Sequence, residues 1–94
     1  MVRSEDVMRR NALMDRYFQL EEGILDGYCY NVKKIPEPYR GDLLWIRGEV
    51  GKNSQSFPDS DGALRSINIS LAYYIERLEL IQENYMNSFR EGKI

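Results

Sequence analysis

Side chains that usually carry chemistry are scarce in this sequence. None of the 94 residues is histidine. That removes Ser-His-Asp and Cys-His nucleophiles, histidine acid–base catalysis and most zinc or iron sites. Cys29 is the one cysteine, so it forms no internal disulfide, and a lone thiol suits a reducing compartment. Glu76, Glu79 and Glu83 fall on one side of a helical repeat, where an acid pair or a metal site would need them. With Arg77 and Arg90 close in sequence they read instead as a solvated face, the ordinary state of surface carboxylates.

Three near-motifs fail on their own spacing. Gly51-Lys52 has the end of a phosphate loop, but Ile46 stands where the first glycine belongs and Asn53 where Ser or Thr would bind magnesium. Asp59-Ser60-Asp61-Gly62 is close to part of a calcium loop, yet the twelve-residue pattern places Phe57 and Asn68 at its two obligatory acidic positions. Asn68-Ile69-Ser70 is a formal glycosylation sequon inside an expected helix. No catalytic group, cofactor or metal site is therefore expected, and the reading is of a protein that is not an enzyme.

Aromatic and cationic residues are the remaining candidates. Tyr28, Tyr30, Tyr39, Trp45 and Phe57 are interleaved with Lys33, Lys34, Arg40 and Arg47 in the least regular part of the chain. Tyrosine and tryptophan give apolar area with a polar tip, which suits partner surfaces. The same mixture can stack a base and hold a phosphate, so a small anionic ligand and nucleic acid are the second and third readings. A net charge of −2 and a pI near 5.1 weigh against nucleic acid.

These residues must be positioned by a single domain, since the length leaves no room for two. Hydrophobic residues make up 43% and charged residues 30%, a folded composition. Residues 4–25 read as helix: Ser4 is a capping residue, Glu5 and Asp6 suit the first turn, and Leu13, Tyr17, Leu20 and Ile24 form a stripe that Val7, Met14 and Phe18 widen. Asp26-Gly27 is the expected stop, with glycine left-handed past the helix end, and Gly23 is expected to fray the last turn. Residues 28–57 form an aromatic-rich insert that contains a short helix from about Pro38 to Glu49 or a β-hairpin using 28–35, and residues 51–60 read as loop. Residues 61–90 carry the strongest signal: after Ser60 or Asp61 as cap, Leu64, Ile67, Leu71, Tyr74, Leu78, Ile81 and Tyr85 repeat as a heptad seam. The expected fold is mainly α, an antiparallel helical hairpin of residues 4–25 and 61–90.

That last helix bears a second stripe. With Leu71 at zero on a helical wheel, Ile69, Tyr73 and Leu80 fall at about 160°, −160° and 180°. A helix apolar on two sides needs covering on both. At 1.5 Å per residue it would also overhang a sphere of roughly 32 Å by about two turns. Either the 28–57 segment covers the second stripe or another copy does, and a symmetric homo-oligomer is the leading expectation. Ile69, Tyr73 and Leu80, with Leu71 and Leu78, are its expected interface. The insert is then the surface for an unidentified protein partner, and a small inhibitor or regulator of the type that phages encode fits this build. Acids and bases are mixed at the N-terminus without an apolar core segment, and apolar runs such as Leu43 to Ile46 are no longer than five residues, so the expectation is a cytoplasmic protein with no membrane span.

Overall fold

A computed structural model describes residues 4–55 and 60–92. Helix α1 spans Ser4–Gly27, α2 spans Tyr39–Gln55 and α3 spans Asp61–Arg90, with one 3-10 turn at Val32–Lys34 between α1 and α2. No strand is present among the described residues, so the β-hairpin alternative is corrected. The alternation at Tyr28, Tyr30 and Val32 is a turn leading into the 3-10 segment: Cys29 and Tyr30 sit at φ 56° and 58°, left-handed rather than extended.

α1 and α3 are parallel, not antiparallel. The carbonyl of Asp6 accepts from Asn68 at 3.1 Å, while Gly23 meets Gln82 and Gly27 meets Tyr85 further along. Partner positions thus rise together in sequence. α2 runs the other way, because Asp42 pairs with Arg77 and Trp45 with Tyr74. The insert that the sequence leaves as a short helix or hairpin is a full helix that turns the chain back. α3 therefore starts again at the end where α1 started, in an up-down-up three-helix arrangement.

Burial explains why α2 continues past Glu49 into the segment read as loop. Leu43, Ile46 and Val50 repeat at helical spacing and are all buried. Each such burial is worth about 1.5–3 kcal/mol, more than the roughly 1 kcal/mol that Gly48 or Gly51 costs as a helical residue. Residues 56–59 of that expected loop lie outside the described residues. The turn before α2 is fixed by Asn31, whose side chain accepts from Lys33 N at 3.1 Å, and by Glu37, which accepts from Arg40 Nε at 2.7 Å and Gly41 N at 3.3 Å. Between them Ile35 is 1% exposed and plugs the end of the core.

The core joins Tyr17, Leu20 and Ile24 of α1 to Leu43, Ile46 and Val50 of α2 and to Leu71, Tyr74, Leu78 and Ile81 of α3. Ser60 caps α3, its hydroxyl accepting from Ala63 N at 3.2 Å. Gly27 is the last residue of α1 rather than a left-handed residue beyond it, and α1 is unbroken through Gly23. The body measures 51 × 20 × 18 Å. It is drawn out along α3, so the argument from a rod too long for a sphere falls away. α1 ends level with Tyr85, and only the last turn of α3, with Met86 and Phe89, projects uncovered.

Candidate interaction surface

Two sides of α3 have opposite fates. The side carrying Leu71 and Leu78 is completely buried within the chain's own core, so these two residues are withdrawn from the expected oligomer interface. They lie on the opposite side of the helix from the second stripe. On that stripe Ile69 is 72%, Tyr73 50% and Leu80 51% exposed. α2 packs alongside without covering them.

α2 instead widens the stripe. Trp45 is 55% exposed and its ring stands edge-on to Tyr74, centroids 5.5 Å apart at 86°. Tyr74 in turn meets Tyr73 at 5.9 Å. Such T-shaped contacts are the preferred aromatic geometry, and through Tyr74 they link Trp45 to the exposed Tyr73. Near Leu80 an open groove of about 440 Å³ lies between the start of α2 and the second half of α3, lined by Tyr39, Asp42, Arg77, Leu80, Glu83 and Asn84 among others. Its cation is already matched: Arg77 donates to Asp42 at 2.6 Å.

No protein-family model, curated protein or solved structure matches this chain.

The insert residues expected to bind a partner do not form one patch. Tyr28 is 4% exposed, packed edge-on to Tyr85 at 5.0 Å, and belongs to the core. Tyr39 and Arg40 are half-buried, and Arg40 is held by Glu37 and the carbonyl of Lys33. Trp45 and Arg47 are both exposed on α2, but Trp45 lies against Tyr74 of α3 whereas Arg47 acts electrostatically on Tyr17 of α1. Tyr30, Lys33 and Lys34 remain together and exposed at the end of the body where α1 gives way to α2.

Tyr17, Tyr28, Tyr30 and Tyr74 are held as neutral phenols. Burial, then a hydrogen bond to Glu21, raises Tyr17 far above the ordinary phenol value. Burial raises Tyr28 and Tyr74 as well, and a hydrogen bond to Glu22 raises the exposed Tyr30. None is poised to supply a phenolate. The near phosphate loop at residues 46–53 is regular helix, with Ile46 and Val50 buried, and forms no anion cradle. Asn68 of the sequon is 3% exposed. Glu76, Glu79 and Glu83 are all exposed on α3.

The helical wheel places Ile69, Tyr73 and Leu80 on the exposed side of α3, whereas the sequence assigns Trp45 to the partner surface of the insert rather than to a contact with α3. Reading residues 39–55 as one helix would have placed Trp45 away from the Leu43–Ile46–Val50 seam.

Proposed function

We propose that this chain is a non-enzymatic interaction protein. It self-associates through the outer side of α3 and, so assembled, binds and occludes or scaffolds a macromolecular partner, as a small phage-type inhibitor or regulator would. The observation that carries this reading is the exposure of Ile69, Tyr73, Leu80 and Trp45 along one side of the rod. Exposed apolar side chains gathered on one side and edged by polar residues mark interaction sites, and Glu76 and Glu83 lie along this side. Tyr30, Lys33 and Lys34 at the end of the body are the surface left for the partner. A polar residue at a seam position fixes pairing in coiled-coil contacts, and the outer side of α3 has such positions too.

Sedimentation of the full chain at micromolar concentration tests the reading. Self-association is expected, and Leu80→Glu is expected to give monomers with unchanged helical circular dichroism, because Leu80 is half-exposed in the single chain. A wild-type chain that sediments as a monomer at every concentration overturns it.

A further inference from the structure

Followed outward from Ile69, the second stripe continues at heptad spacing with polar residues at half of its positions. Spacings of three and four run through Ser66, Ile69, Tyr73, Glu76, Leu80 and Glu83, and every one of these side chains is exposed. The seam is chemically lopsided. Its first half, Ser66 to Tyr73, holds no charge and has Arg65 on its flank. Its second half carries Glu76 and Glu83 within the seam.

That asymmetry chooses both the occupant and its direction. A second copy laid parallel would set Glu83 on Glu83, a like-charge contact that destabilises helix pairs. A second copy laid antiparallel parts the two Glu83 side chains by about 25 Å along the axis, while the two Glu76 side chains stay within about 5 Å of each other along it. With Ile69 opposite the partner's Leu80, Tyr73 falls beside the partner's Glu76 and Arg65 beside the partner's Glu83. Tyrosine–glutamate hydrogen bonds already occur twice in the chain, at Tyr17–Glu21 and Tyr30–Glu22. Arg65 is 53% exposed and shows only its Nε to Asp6, and a guanidinium has further donors to offer. A two-fold axis makes every one of these contacts twice. Half-exposed Trp45 and Tyr73 each bring on the order of 100 Å² towards the about 800 Å² per partner of a standard interface.

We infer that the chain forms a two-fold antiparallel dimer in which the α3 helices pack against each other, Ile69 of each against the partner's Leu80. The inference rests on the self-association proposed above and adds its geometry. Disulfide trapping reads that geometry in the full chain with Cys29→Ser as background. In the antiparallel pair each seam position is displaced from its own copy by roughly 16 Å at residues 69 and 80, well beyond the 7 Å limit for bridging. Ile69→Cys alone and Leu80→Cys alone should therefore give no covalent dimer under mild oxidation. The double variant should give one that reduction abolishes. Covalent dimers from either single variant would mean a parallel pair and overturn the inference. So would a chain that sediments as a dimer while none of the three variants crosslinks; self-association would then stand on another surface. A chain that sediments as a monomer overturns both.

Discussion

The ring of Tyr85 lies so close over Gly27 that a Cβ on residue 27 would stand 2.9 Å from the ring Cζ. Glycine is required here for approach, not for backbone freedom, because Gly27 is the last helical residue of α1 and the left-handed conformations fall on Cys29 and Tyr30. Tyr85 also packs edge-on to the buried Tyr28, with ring centroids 5.0 Å apart. Gly27→Ala is expected to lower stability by about 1–3 kcal/mol, the range for overpacking. Gly48 is the contrast. It lies within α2 with nothing within 4 Å of an added Cβ, so Gly48→Ala should raise stability by about 1 kcal/mol through helix propensity alone. Chemical denaturation of the two variants checks both signs.

These glycines show what was legible in the sequence and what was not. α3 could be read almost whole, since Ser60 caps it, no Gly or Pro follows Gly62 of its first turn, and its seam from Leu64 to Ile81 is the buried side. α2 could not, because three glycines argue against a helix locally and only the tertiary burial of Leu43, Ile46 and Val50 overrides them. The relative direction of α1 and α3 depended on that same helix. Once residues 39–55 reverse the chain, Asp6 and Asn68 share an end. Of the candidate surface, the wheel separated Ile69, Tyr73 and Leu80 correctly. Including Leu71 and Leu78 mixed the two sides of one helix. The insert's aromatics were scattered for a related reason: Tyr28 was needed to close the core beneath Tyr85.

Stability should fall in alkali. Tyr17, Tyr28 and Tyr74 each have a phenol raised above the ordinary value of 10.0, chiefly by burial. A raised value means the unfolded chain gives up its protons first. Above that pH the unfolded state binds fewer protons than the folded state, and stability declines as pH climbs. It is fully present below pH 10 and lost from there upward. Absorbance titration of the phenols should show buried tyrosines ionising only together with loss of helical signal. Tyr17→Phe should shallow that decline; an unchanged slope would contradict the assignment.

The Arg77–Asp42 pair links α3 to α2 at 2.6 Å, with the two side chains 39% and 31% exposed. Exposure on that scale lets water screen the pair, so its worth is small despite the short distance. A double-mutant cycle with Arg77→Ala and Asp42→Ala should give a coupling of about 0.5–1 kcal/mol, shrinking as salt is added. A coupling unaffected by salt would mean that the pair is shielded from solvent.

Asn68 is the polar residue buried inside the α1–α3 contact, and its two amide atoms fare differently. Nδ2 donates to the Asp6 carbonyl at 3.1 Å, whereas Oδ1 is buried with no partner. One hydrogen bond of this kind contributes about 1 kcal/mol, and an unsatisfied buried acceptor costs about 1–3 kcal/mol. Leucine has nearly the same size and removes both terms at once. Asn68→Leu should therefore leave stability unchanged or raise it by about 1 kcal/mol. Asn68→Asp keeps the shape but loses the donor and places a charge where no cation is bonded, so it should lower stability by several kcal/mol at neutral pH. That loss should lessen on acidification, because a buried carboxyl takes up its proton more readily than one in the unfolded chain. Thermal unfolding of both variants at neutral and acid pH decides the matter. A marked loss with leucine would show that the Asp6–Asn68 bond is needed to hold α1 and α3 in parallel register.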